Sequence, residues 1–115
     1  MDKQEYLTAD AAIPFVTNDK LRDELLLYHL DTVSQQRLFT TFEQLSGKSI
    51  DPNTKVLELS GGQRVILMAL LALFCPAPAI RFINLMSALD LQRREALGKL
   101  LDASEKTIIM EEQAC

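Results

Sequence analysis

From Leu21 onward the apolar positions fall at helical spacing. Leu21, Leu25 and Tyr28 repeat on one stripe, and Leu26 and Leu30 widen it. That spacing predicts a helix over about 19–30, with Asn18 or Asp19 as its cap. Asp31-Thr32 marks a break and a fresh cap, and Val33, Leu38, Phe39, Phe42 and Leu45 form a second stripe. A second helix is expected over about 32–45, folded back on the first as a hairpin. SGKSIDPNTK, from Ser46 to Lys55, has the composition of a loop. VLEL, Val56–Leu59, reads as a short extended piece. A third helix is expected from Gly61 to about Cys75, and CPAP (Cys75–Pro78) ends it. AIRFINL, Ala79–Leu85, reads as a buried strand. Asp90 should cap a fourth helix running to about Leu101, with Leu91, Ala96, Leu97, Leu100 and Leu101 inward. KTIIMEE, from Lys106, reads as another strand.

Before the first helix the pattern is mixed, and AAIPFV (Ala11–Val16) fits either a short strand or an arm. The second half reads helix, strand, helix, strand, which predicts a parallel α/β arrangement. The chain divides into an N-terminal arm and helical hairpin over 1–50 and a lobe over 51–115, together one compact domain.

Composition narrows the possible functions. A chain of 115 residues, 48% hydrophobic, is long enough to bury a core and is the size of one domain or a piece of one. Twelve Lys and Arg against 16 Asp and Glu disfavour direct nucleic-acid binding by the isolated chain. Arg93-Arg94 is the best basic patch, and it reads more simply as a solvated helix face. Cys75 and Cys115 make no disulfide framework, which points to a reducing compartment. MDKQEYLTAD lacks the apolar centre of a signal peptide. Val65–Phe74 falls short of the roughly 20 residues a bilayer requires. A soluble, cytoplasmic protein with no membrane partner is expected.

The chemistry-bearing stretch is LELSGGQRVILM, Leu57–Met68. A serine that can donate a hydrogen bond and two glycines that admit close approach stand where a helix begins. The positive end of that helix favours an anion by about 0.3–1 kcal/mol. The apolar run behind it anchors the first turn. LELSGGQR resembles the signature motif of ATP-binding-cassette (ABC) ATPases. CPAPAIRFINLMSALD resembles the segment of the structural-maintenance-of-chromosomes (SMC) branch in which a Pro-Ala-Pro segment leads into the Walker B strand and then an Ala-Leu-Asp D-loop. The resemblance spans roughly Val56–Cys115. It implies a helix-rich α/β fold, the C-terminal lobe of an ABC-type P-loop NTPase head, here preceded by a helical hairpin. It also implies that Ser60, Gly61, Gly62 and Gln63 face the γ-phosphate of ATP held by an opposite subunit. Ser87, Ala88, Leu89 and Asp90 would form the D-loop and touch that partner.

The departures from the family pattern carry equal information. Counting back from Asp90, the metal-ordering aspartate falls on Ile83 and the catalytic glutamate on Asn84. A hydrocarbon orders no magnesium ion, and an amide accepts no proton from water. The switch-histidine position falls near Gln113. A Walker A loop, GxxxxGK[ST], is not found. SGKS at Ser46–Ser49 matches only its tail, with Phe42 at the first glycine position. Glu111-Glu112 reads as a strand exit rather than an acid–base pair. Asn84, if buried, must find partners, as a vestige of an active site or as a structural hydrogen bond.

The leading expectation is therefore a non-catalytic pseudo-ATPase subunit. ATP would be its cofactor only when a partner supplies it, and it would bind no metal of its own. The partner would be an ABC/SMC-type ATPase carrying Walker A, or a second copy, within a machine for DNA maintenance, repair or defence. Two alternatives stand beside it: a nucleotide-independent interaction adaptor, and a fragment of an active ABC ATPase.

Overall fold

Nine consecutive residues, Val65–Leu73, are buried in one helix, and the other elements pack around it. The structure, a computed structural model, describes residues 6–112. It contains strand β1 (Leu7–Asp10), helices α1 (Leu21–Leu27), α2 (Thr32–Ser46) and α3 (Gly61–Phe74), strand β2 (Ala79–Ile83), helix α4 (Leu91–Ala103) and strand β3 (Thr107–Glu111). Short 3-10 turns occupy Val56–Glu58 and Met86–Ala88. The strands form one parallel sheet in the order β1-β2-β3. Leu7 pairs with Ile80 and Asp10 with Ile83 on one side of β2, and Ile80 pairs with Ile108 on the other. Central β2 is the most buried strand, with Ala79, Ile80 and Phe82 fully enclosed. α3 packs along α2 and against β1 and β2, while α4 touches α2. A helix apolar all round has to be enclosed on every side, and this arrangement encloses it. No helix among the described residues is long and apolar enough to cross a membrane.

Helix α2 begins at a side-chain cap and ends at a glycine. Asp31 caps α2 by accepting from Ser34 N at 2.7 Å, and that bond holds its carboxyl below the usual carboxylate range. Gly47 ends α2 at φ 75°, a conformation open to glycine. SGKS is thus a helix stop, whereas a P-loop lies between a strand and a helix.

Helix α1 departs from the expectation at both ends. Its N-cap is Lys20, which makes no side-chain cap bond, rather than Asn18 or Asp19. Its first amides are instead satisfied from a distant loop: Leu21 N donates to Thr54 O and Arg22 N to Pro52 O. It stops at Leu27 because His29 turns left-handed, φ 58°. Leu30 N then donates to Leu25 O, and His29 N to Leu26 O. That is the two-bond helix stop usually built on glycine, so the histidine gave no sequence sign of it.

Other elements also differ from the expectation. α2 packs chiefly on α3 rather than on α1. Val56–Glu58 is a turn, not an extended piece. Leu26, Val33 and Leu91 are exposed. Each lies about 100–140° round its helix from a buried residue, Leu25, Leu38 and Leu97 respectively, so only a narrow stripe of each helix is covered. The strand at the start of the chain is Leu7–Asp10; of the two forms expected for AAIPFV, the irregular arm is the one seen, packed into the core through Phe15.

That irregular segment is held by Glu24, which is fully buried on α1. Its carboxylate accepts from Val16 N at 2.9 Å, Thr17 N at 2.8 Å and Thr17 Oγ1 at 2.6 Å. Removing it orphans three donors, so Glu24→Ala is expected to lower stability by about 2–4 kcal/mol, read from the urea midpoint. Burial raises the nearby Tyr28 phenol, helped by the charges of Glu24 and Cys75, from 10.0 to about 12. A phenol raised on folding favours the folded state fully below its unfolded value, and that contribution disappears as pH rises towards the folded one. Stability should therefore fall between pH 10 and about 12, a loss absent in Tyr28→Phe, as checked by urea titration at each pH.

Candidate functional site

Ser60 is the N-cap of α3 and closes a capping box with Gln63. Ser60 Oγ accepts from Gln63 N at 3.2 Å, and Ser60 N donates to Gln63 Oε1 at 3.0 Å. The cap spends an acceptor lone pair of Ser60, which leaves the hydroxyl proton able to donate. Arg64 holds the approach from behind: its Nε donates to Leu59 O at 3.0 Å and its Nη2 to Leu57 O. α4 repeats the device. Asp90 accepts from Arg93 N at 2.8 Å, and Arg94 Nε donates to Leu89 O at 2.8 Å. In both cases an arginine four residues after the cap ties the helix start to the carbonyl just before it. The first turn of each helix is thereby fixed without extra core. Arg94 is thus committed to this tie, and the Arg93-Arg94 pair is only partly a solvated face.

Gly61 is exposed and Gly62 half-buried. Neither has a positive φ. A Cβ built on Gly61 would meet nothing within 4 Å, and one on Gly62 would meet only the Arg93 guanidinium, with Nη1 at 2.5 Å. Guanidinium tips move easily, so the fold itself does not demand glycine at either position. The same contact brings the two helix starts together, because Arg93 of α4 lies over the first turn of α3. Its Nη1 is also 3.7 Å from Asp90 Oδ2. A positive helix end and a guanidinium thus share one exposed corner, partly offset by one carboxylate. Sequence reading did not foresee this corner, since Gly62 and Arg93 meet only through tertiary packing.

The D-loop candidates occupy the turn before α4. Ser87, Ala88 and Asp90 are exposed, while Leu89 is buried and anchors the loop. Ser87 N donates to Glu112 Oε1 at 2.8 Å, and Ser87 Oγ donates to Asn84 O at 3.2 Å. Glu112 therefore holds the loop, and Glu111 pairs with Arg81 at 2.6 Å, so both glutamates of the strand exit have structural work. Ile83 ends β2, one strand from Asp10 in register. Asn84 follows at φ 58°, its N–H donating to Glu111 O at 2.7 Å. That left-handed turn ends β2 two residues before the expected limit at Leu85. Asp10 itself accepts from Ala12 N at 2.9 Å. Among the described residues, no three His, Cys, Asp or Glu side chains are grouped so as to hold a metal ion. Gln113 and Cys115 lie outside the described residues.

No family model and no curated protein matches the chain. Solved structures do. The chain is similar to a protein assigned as the cobalt transport ATP-binding protein cbiO-2 (ST1066). The identity is 19% and the TM-score 0.67, covering 92% of this chain and 42% of that one. It is also similar to a chain of an inward-facing transporter assigned to the metal-chelate ABC type, at 19% identity and a TM-score of 0.63. Here 96% of this chain and 49% of that one are covered. The fold is that of part of an ABC-type ATPase lobe. The lobe spans less than half the length of either structure, and at this identity the likeness establishes architecture rather than activity.

Since the lobe does not need its two glycines, alanine at both should be tolerated. The Gly61→Ala/Gly62→Ala variant is expected to be as stable as the parent or up to about 1 kcal/mol more stable per site, as alanine favours helix. Thermal unfolding followed by circular dichroism measures this, and a marked loss of stability would show that the fold does require them.

Proposed function

We propose that this lobe offers Ser60, Gly61, Gly62 and Gln63 to ATP carried by another polypeptide, and that it neither holds nor hydrolyses ATP alone. One observation carries the reading: two adjacent glycines stand at a firmly anchored helix start, where a Cβ would meet nothing at Gly61 and only the movable Arg93 guanidinium at Gly62. Residues that forgo helix stability without a packing reason are explained by something that must come close. An anion there would meet the unshared N–H groups of the first turn, the Ser60 hydroxyl and the Arg93 guanidinium. Asp90 and the exposed Ser87 and Ala88 would meet the polypeptide that brings it.

The missing catalytic role rests on Ile83 and Asn84, which stand where the family places a metal-ordering aspartate and a general base. The preference for a DNA-maintenance, repair or defence complex rests on Pro76-Ala77-Pro78 leading through β2 into Ser87–Asp90. ATP from the partner would be the only nucleotide involved, with no metal held by this chain, and the cytoplasm is the compartment that suits it. The adaptor reading has its own support. Ser60 and Gln63 already satisfy each other in the capping box, as a docking lobe without ligand would require. The reading as a segment of a longer active head is compatible with coverage of 42% and 49% of the similar structures.

Pull-down with and without Mg–ATP separates these readings. Capture of a Walker A-bearing ATPase, identified by mass spectrometry, should need nucleotide and should drop about tenfold or more in Ser60→Arg and Gly62→Asp, which place bulk or negative charge at the anion corner. Capture indifferent to nucleotide and to both substitutions would leave the adaptor reading standing. Magnesium-dependent turnover by the isolated chain would refute both.

A further inference from the structure

The sheet has two edges, and they differ. β1 carries no exposed large apolar residue, whereas on β3 Ile109 and Met110 are each 37% exposed. Nothing within Thr107–Glu111 interrupts pairing: the strand holds no proline or glycine, and its one charge, Glu111, is at its end. An edge of this kind is a template for another strand.

We propose that β3 pairs antiparallel with β3 of a second copy, across a two-fold axis at Ile109, joining two three-stranded sheets into one of six. The strand is self-complementary about that residue. Ile109 faces Ile109, Ile108 faces Met110, Thr107 faces Glu111, and Lys106 faces Glu112. The outermost pair is one of opposite charge, and both members have capacity left. Lys106 Nζ donates to Cys75 O and Ala77 O, leaving its third proton free to donate. Glu112 uses one oxygen on Ser87 N. The neighbouring two-fold registers are worse. Centring on Ile108 sets Glu105 against Glu111, and like charges directly opposite are destabilising. Centring on Met110 sets Ile108 against Glu112 and Ile109 against Glu111.

Face alternation agrees with the chosen register. Ile108 and Met110 line a groove of about 220 Å³ with Met86, Gly98, Leu101 and, at exposed Asp102, one carboxylate. Across the axis each copy places Met110 beside the other's Ile108, which covers that groove. Five strand residues a side bury less than the roughly 1,200 Å² of a standard stable interface, so an association in the micromolar range is expected. This surface shares no residue with Ser60–Gln63, and its failure would leave the signature reading untouched.

The test uses the full chain with Cys115→Ser, so that the buried Cys75 is the only remaining native thiol. Sedimentation equilibrium should show a concentration-dependent dimer, weakened about tenfold or more by Ile109→Lys, which opposes two positive charges. Under mild oxidation Ile109→Cys should form a disulfide-linked dimer. Thr107→Cys and Glu111→Cys should each fail alone and cross-link when mixed. A monomer at every accessible concentration overturns the proposal. So does a dimer unaffected by Ile109→Lys, or cross-linking of Thr107→Cys as efficient as that of Ile109→Cys. Dimerisation should be unchanged in Ser60→Arg.

Discussion

The need to enclose α3 governs the rest of the molecule. Each fully buried Ile66, Leu67, Met68, Leu70 and Leu71 contributes about 1.5–3 kcal/mol relative to exposure. Any electrostatic attraction at the helix start, about 0.3–1 kcal/mol, is small beside their sum. Core packing therefore decides where α3 lies, and a ligand does not. The consequence for function is mechanical. Burial begins at Val65, so the turn from Ser60 to Gln63 is carried on the end of a fixed element while remaining at the surface. An exposed flexible sequence thus acquires a defined position.

The loops around that turn are held by hydrogen bonds more than by core. Arg64 and Arg94 tie the approaches to α3 and α4, and Glu112 ties the turn before α4 to the end of β3. Glu24 performs the same task for the segment after β1. Glu112 joins the turn before α4 to the exit of β3, and Arg93 joins α4 to the first turn of α3, so the turn Ser60–Gln63, the turn before α4 and the exit of β3 form one supported corner. Arg93 is the residue through which the two helix starts meet, and it gives that corner a positive character in a chain whose net charge is −4. Local placement of one guanidinium outweighs the global balance at this point.

The corner also bears on the choice between functional readings. A capping box accounts for Ser60 and Gln63 with no ligand at all. It does not account for Gly61, which has open space around it, or for Gly62, where a Cβ would require only that the Arg93 guanidinium move aside. The distinction rests on these two positions, because only there does the sequence forgo stability that packing would have allowed it to keep.

Much of the fold could be read directly from the chain because it depends on local physics. The uniform apolar run made α3 a core helix. Asp31 and Asp90 announced two helix starts, CPAP a helix end, and the alternation of helix and strand a parallel sheet. The turn Ser60–Gln63 was legible for the same reason: a cap, two glycines and an anchoring run are adjacent in sequence. Tertiary structure alone decided the rest. The left-handed turn at His29 carries no sequence mark, and the first amides of α1 find partners at Pro52 and Thr54, some 30 residues away. Leu26, Val33 and Leu91 satisfy a helical period yet lie outside the narrow stripe that neighbouring elements cover. Arg93 reaches Gly62 only because α3 and α4 begin side by side. Periodicity and capping act over a few residues, so the sequence shows them. Which faces meet is settled by the cheapest way to enclose α3, and no single segment contains that information.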